Sequence, residues 1–345
     1  MALTTYSIAE CAVGIFEVSD IAGQAVWGTA TAATSDALEL NVKAFEVDRD
    51  IKKRVGKSAL TGTRNDDVIN HQADTYGTTP KFAIKTEGGV LKDELALMLY
   101  GHLQSVAEAE TTPFKKDFTL GNPDFTASAG YFATFCFKAP DASHSIIMAD
   151  CTGTESLKFS CAPGGFLEVE QAWQSRGAAT MTGNPSTGSW DRAPKAASDY
   201  FAYENMTFKI GTTANTVLGA LEWEFTRETS PIGVDDGKHS SLFLGANTGT
   251  IKGRVLYGVN GQTLESAEAN NTCLTAHIYW GTEAPAADGD LHFTLPFVVT
   301  ETKRVEGDAG IFAVDFTGSI VGDSTNETPV EMITVNLCDA QDMAW

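Results

Sequence analysis

Several things are scarce in this chain of 345 residues, and each scarcity closes off a class of function. No apolar run approaches the roughly 20 residues that a membrane helix requires, so a spanning segment is not expected. The start, Met1-Ala2-Leu3-Thr4-Thr5-Tyr6-Ser7, has no basic residue leading into a long apolar stretch, so a secretory leader is not expected and a cytoplasmic origin is. The six cysteines, Cys11, Cys136, Cys151, Cys161, Cys273 and Cys338, stand far apart without a C-x-x-C pair, which reads as buried free thiols and neither a metal grip nor a redox couple. Basic residues are few: Lys and Arg number 24 against 45 Asp and Glu, a net charge of −21. Affinity for nucleic acid is built from Lys and Arg neutralising phosphates, so no conventional DNA binder is expected.

Catalytic signatures are missing too. Val55-Gly56-Lys57-Ser58 resembles the end of a phosphate loop, but Ile51 stands where that loop needs glycine. There is no G-x-S-x-G elbow, and none of the histidines His71, His102, His144, His239, His277 and His292 pairs with another at helical ligand spacing. Asp235-Asp236-Gly237 and Asp288-Gly289-Asp290 read as turns, since neither carries the alternating carboxylates of a calcium loop. The sequons at Asn270 and Asn326 have no meaning without secretion. The chain is read as a non-enzyme that needs no cofactor or metal.

What is present is alternation. Leu38-Glu39-Leu40-Asn41-Val42-Lys43, Leu221-Glu222-Trp223-Glu224-Phe225-Thr226 and Met332-Ile333-Thr334-Val335-Asn336-Leu337 put apolar and polar residues on opposite faces, the period of a strand. Tyr131 to Phe137 is apolar on both faces and predicts a strand covered on both sides. Ser156–Ser160 and Phe166–Glu170 read as a hairpin through Pro163-Gly164-Gly165. Leu91, Leu95, Met98, Leu99 and Leu103 recur at helical spacing, which predicts a helix over about 90–103 ended by Gly101, and a second, shorter helix is read over 264–271. The fold class is therefore mainly β with a flanking helix.

Length predicts about two domains. The order strand, loop, strand, helix, aromatic strand, hairpin recurs in the second half, so a tandem duplication is weighed: 1–176, a linker or loop at 177–198 rich in Gly, Pro, Ser and Ala, and 199–345. One segment opposes the acidic balance. Arg49, Lys52, Lys53, Arg54, Lys57 and Arg64 gather in an arm over 47–80, which either forms a solvated loop or seats on the acidic surface of a neighbouring copy. Self-assembly is the preferred reading.

The chain resembles the tail tube proteins of long-tailed bacteriophages. The resemblance rests on Val26-Trp27-Gly28-Thr29 before the strand at Leu38, Arg49 and Gly56 in the arm, and Leu97-Met98-Leu99-Tyr100-Gly101-His102-Leu103. It continues through Ser156–Ser160, Pro163–Val169 and Val217-Leu218-Gly219-Ala220-Leu221-Glu222-Trp223. It implies a β-sandwich or barrel with one helix, assembled with copies of itself into stacked rings, six copies in single-unit members or three in duplicated, pseudo-sixfold ones. It also implies a virion location in the phage tail after synthesis in the bacterial cytoplasm. The implied partners are a tape-measure protein, terminator and baseplate proteins, a sheath if the tail contracts, and DNA that passes without being held. In such a conduit a carboxylate lining repels phosphates at short range. Glu168, Glu170, Glu222 and Glu224, each alternating with core residues, are the candidate lumen residues. The competing reading is a monomeric β-sandwich binding module, an adhesin or carbohydrate binder, with Trp173, Trp190 and Trp280 as its aromatic platform.

Overall fold

The computed structural model describes residues 12–18, 21–22, 37–40, 42–48, 53–54, 74–75, 81–86, 88–109, 114–120, 132–138, 145–175, 180–182, 190–191, 200–232, 241–306, 310–322 and 334–339. They form a mainly β protein with two α-helices, as the alternation predicts. In chain order the first half contributes β1 (Ala12–Val18), β2 (Ile21–Ala22), β3 (Ala37–Leu40), β4 (Val42–Asp48), β5 (Lys53–Arg54), β6 (Asp74–Thr75), β7 (Lys81–Thr86), α1 (Lys92–Leu103), β8 (Gln104–Ala109) and β9 (Phe114–Leu120). Then follow β10 (Ala133–Lys138), β11 (Ser145–Cys161), β12 (Leu167–Gln174), β13 (Thr180–Thr182) and β14 (Trp190–Asp191). The second half contributes β15 (Met206–Ile210), β16 (Thr213–Asn215), β17 (Leu221–Ile232), β18 (Ser241–Leu256), α2 (Val259–Asn270), β19 (Cys273–Trp280), β20 (Leu291–Glu306), β21 (Phe312–Ile320) and β22 (Thr334–Asp339).

One pairing scheme occurs twice. In the first half β1 pairs with β3 and β10, β10 with β11, β11 with β12 and then β13, β12 with β7, and β7 with β4. In the second, β15 pairs with β16 and β19, β19 with β20, β20 with β21 and then β22, β21 with β18, and β18 with β17. A long strand, β11 or β20, organises each half. Its first part pairs with one neighbour and, past a register shift, its second part pairs with the strand that follows it. Such irregularities bend a strand and let it pass between two layers. A helix of 12 residues leaves β7 in one half and β18 in the other.

The layers enclose aromatic side chains. Phe82 on β7 packs edge-on to Phe135 and Phe137 on β10, and Phe135 meets Trp173 on β12, with ring centroids 4.8–5.4 Å apart. Across the middle, Trp223 stacks on Phe159 at 5.1 Å and meets Phe293 edge-on at 5.1 Å. Edge-on and offset rings are the favoured arrangements of the aromatic quadrupole. One apolar core therefore runs through both halves.

Some expectations change. Gly101 lies inside α1 and does not end it: the left-handed residue is Gln104, at φ +65°. Glycine is needed at 101 because a Cβ there would come within 2.9 Å of the Trp173 ring carbon Cζ2. The second helix begins at Val259, earlier than its apolar spacing indicates. Parts of the stretch read as a linker are ladder: β13 pairs with β11, and β14 runs parallel to β3. Cys136, Cys151 and Cys161 are buried free thiols, whereas Cys273 is exposed at the start of β19. Burial pushes the Cys136 and Cys161 thiols up to about 12, which keeps them protonated and inert.

Candidate assembly surface

The two halves meet along a β-ladder. The second part of β11 has β12 on one edge and β17 on the other, with Ser156 opposite Thr226, Lys158 opposite Glu224, Ser160 opposite Glu222 and Cys161 opposite Leu221. Eight strands thus follow one another in a single sheet: β4, β7, β12, β11, β17, β18, β21, β20. Alternation puts Leu157, Phe159 and Cys161, with Leu221, Trp223 and Phe225, into the core. The opposite face follows from the register.

That face gathers all four candidate glutamates, with basic residues set among them. One row across it reads Lys85, Glu170, Lys158, Glu224, Thr250 and Ser319. The next reads Glu168, Ser160, Glu222, Lys252 and Thr317. Lys85 lies 3.6 Å from Glu170, and Lys252 2.8 Å from Glu222. In these two rows four carboxylates face three ammonium groups, so the surface is of mixed sign and not the purely acidic one expected from single strands.

The basic arm falls largely outside the described residues, as do Arg49, Lys52, Lys57 and Arg64. Lys53 and Arg54 form β5, which pairs with β6 through Lys53–Thr75 and Arg54–Asp74. Of the proposed aromatic platform, Trp173 and Trp280 are buried, and Trp280 donates its indole N–H to the Ala202 carbonyl at 2.7 Å. They offer no stacking surface to a sugar.

Arg227 is a joint residue that sequence reading passes over. It follows Leu221, Trp223 and Phe225 at the inward positions of β17 and is 7% exposed. Its guanidinium donates to the carbonyl of His102, in the last turn of α1, at 2.8 Å and to the carbonyl of Gly153 on β11. A cation at the negative end of a helix is favoured. Burial nevertheless brings the Arg227 pKa down to about 9, and burial with this neighbouring cation holds His102 well below its ordinary range. An arginine in an otherwise inward apolar row was the available signal.

A further contact between the halves is the ion pair of Lys92, at the start of α1, with Asp288 at 2.8 Å, beside a cavity of about 600 Å³ lined by Tyr200, Phe201, Asn205 and Trp280. Asp290 stiffens that loop by accepting from the Thr282 hydroxyl and the Ala286 and Ala287 amides at 2.7–3.1 Å. These bonds hold its carboxyl below the usual range against the opposing effect of burial. Among the described residues no three His, Cys, Asp or Glu side chains converge as metal ligands, and no helix is long and apolar enough to cross a membrane. No family model matches the chain, and no curated protein matches it.

Proposed function

We propose that this chain is a tail tube subunit: two repeats of one β unit, joined edge to edge, that add further copies through the same joint and close into a stacked, hollow ring. The observation that carries this reading is the β11–β17 ladder together with what lies at the two ends of the eight-strand sheet. In the repeated pairing scheme β20 corresponds to β11, and β4 to β17. Among the described residues, Glu301–Glu306 of β20 has β21 on one edge and no strand on the other, and β4 is paired with β7 alone. One open edge therefore corresponds to each side of the joint already made. Open strand edges are templates for another chain, and a head-to-tail contact that closes by rotation gives a ring. Two repeats per chain make three copies the number for a pseudo-sixfold ring.

The ladders inside the chain supply the register that such a contact would take. The hairpins close at Cys161–Leu167 and Glu306–Phe312, so Lys158 corresponds to Lys303. The Lys85–Glu170 and Arg254–Asp315 pairs align β7 with β18, which makes Ala83 the counterpart of Lys252 and Lys81 that of Thr250. Glu46 and Asp48 on β4 are then the counterparts of Glu222 and Glu224. Lys158 lies opposite Glu224 within the chain, so Lys303 lies opposite Asp48 of a second copy. The outer face of the sheet becomes the wall of the bore. Its interleaved carboxylates and lysines give phosphates no continuous basic track, in a protein of net charge −21.

The test is the double variant Asp48→Cys with Lys303→Cys. Oxidation is expected to link copies into a closed covalent trimer, and end views in the electron microscope to show rings. A protein that stays monomeric at every concentration and forms no interchain disulfide overturns the reading.

A further inference from the structure

Two histidines of the second half face each other outside the core. On β19 the side chains of Ala276, Ile278 and Trp280 point inward, and on β20 those of Leu291, Phe293 and Leu295 do. Alternation then puts His277 and Tyr279, with His292 and Thr294, on the opposite face of the β19–β20 ladder. His277 pairs with Thr294 and Tyr279 with His292, so the two imidazoles are diagonal neighbours across the strands. His277 Nδ1 and His292 Nε2 meet at 3.1 Å, and the Thr294 hydroxyl lies 3.5 Å from the same Nε2. His277 is half-buried, which leaves the pair reachable from solvent.

One of the rings is already held as a ligand would be. With its Nε2 turned to His277, His292 bonds to the backbone carbonyl of Glu283 through Nδ1. A carbonyl only accepts, so Nδ1 carries the proton and Nε2 presents a lone pair. A backbone carbonyl behind the ring is the device that fixes the tautomer and aim of metal-bound histidines. The proton between the rings therefore sits on His277 Nδ1. Moving it to His277 Nε2 is a change of tautomer without a change of charge, and it turns both facing nitrogens into lone-pair donors. Burial lowers the pKa of both histidines, so near neutral pH neither has to shed a proton to bind. Two zinc–imidazole bonds of about 2.0–2.1 Å close on the 3.1 Å base at about 98°, between the octahedral and tetrahedral angles. The lysines that act on the pair, Lys209 and Lys115, are each held by a carboxylate, Glu283 at 2.6 Å and Asp117 at 3.3 Å, so their charges are compensated. We propose that His277 Nδ1 and His292 Nε2 bind one divalent transition ion of the zinc and copper class, with water filling its other positions and the Thr294 hydroxyl bonded to one of those waters. Imidazole suits such ions, whereas magnesium and calcium select oxygen. The bound ion ties the opening stretch of β20 to β19 and stabilises the folded chain by mass action.

Titration of the full chain with Zn²⁺ near neutral pH tests the site. The parent is expected to bind one ion more than either His277→Gln or His292→Gln, and the double variant to lose no more than each single one, because both rings serve the same ion. Thr294→His sets a third imidazole beside His292 Nε2 and is expected to bind at least tenfold more tightly, a gain that misfolding cannot imitate. A large molar excess of Mg²⁺ is expected to leave the zinc in place. Equal Zn²⁺ binding by the parent and both glutamine variants, or an unchanged affinity in Thr294→His, overturns the proposal. So does displacement by Mg²⁺, the mark of ions gathered loosely by a surface of net charge −21.

Discussion

The two helices occupy equivalent places and live in different surroundings. Both have 12 residues, follow the second strand of their repeat and pack on its long bent strand. Helix α1 is buried almost all round: Leu95, Ala96, Leu97, Met98, Leu99 and Leu103 are in the core, and so are Glu94 and His102. The reason is an element that α2 lacks. The hairpin β8–β9 continues α1 and pairs with β22 from the other half, roofing the helix, whereas α2 passes to β19 through Asn271 and Thr272 alone. Gly101 presses on Trp173, while α2 carries Glu268 at the matching place, and that carboxylate accepts from the Thr302 hydroxyl. Only Leu264 and Ala267 of α2 are buried apolar residues. The repeat therefore fixes where a helix sits, and the neighbours fix what it must be made of. A helix apolar all round is stable only when enclosed.

Side-chain truncation weighs the two helices differently. Leu99→Ala is expected to cost about 2–5 kcal/mol, the range for a fully buried leucine whose site relaxes only partly. Ser266→Ala on α2 is expected to stay within about 0.5 kcal/mol, as surface changes do. Urea unfolding of both variants checks this. Equal losses would mean that α1 is not the enclosed member of the pair.

How far this was readable depends on the range of the interaction. The β class and α1 come from local periodicity, and Leu221-Glu222-Trp223-Glu224-Phe225 places its side chains as the alternation says. Gly101 was misread because glycine serves two ends, positive φ and close approach, and only the tertiary partner Trp173 distinguishes them. That Glu168, Glu170, Glu222 and Glu224 share one face was implicit in each strand. The lysines among them were not, because Lys158 meets Glu224 and Lys85 meets Glu170 through registers that join residues 66 and 85 positions apart (224 − 158 and 170 − 85), and nothing local encodes them. Arg227 was visible as a break in an apolar row, yet its partners, the His102 and Gly153 carbonyls, belong to the other half.

Histidines make both halves sensitive to acid. Burial holds His102 in the first half well below its ordinary range, and His277 and His292 in the second are lowered as well, first by burial. The His277 Nδ1 and His292 Nε2 atoms are 3.1 Å apart, so protonating both breaks their shared hydrogen bond. A base whose folded pKa lies below its unfolded value leaves the unfolded chain binding more protons. Stability is thus complete above about pH 6.5 and declines as the pH falls towards the folded values, by at most about 1.4 kcal/mol per pH unit for each histidine. Urea midpoints between pH 7.5 and 5 check the sign. His277→Gln is expected to remove the contribution of its pair and leave that of His102, so a pH profile identical to the parent would assign the whole decline to the first half.

The smallest effect concerns matched ion pairs on the outer face. Lys85 with Glu170 and Arg254 with Asp315 occupy corresponding positions of the two repeats. The first is a single contact at 3.6 Å; the second is a two-pronged one, with Nε and Nη2 donating to Oδ1 and Oδ2 at 2.5 and 3.0 Å. Both stay 37–45% exposed, so solvent screens them and each contributes only about 0.2–1 kcal/mol. The planar guanidinium fork matches a carboxylate where an ammonium group cannot, which places the Arg254 pair at the upper end of that range and the Lys85 pair at the lower. Double-mutant cycles to alanine are expected to return the larger coupling for Arg254–Asp315, diminished by added salt. A larger coupling for Lys85–Glu170 would mean that packing around the first repeat, and not the geometry of the pair, sets the strength of charges on this face.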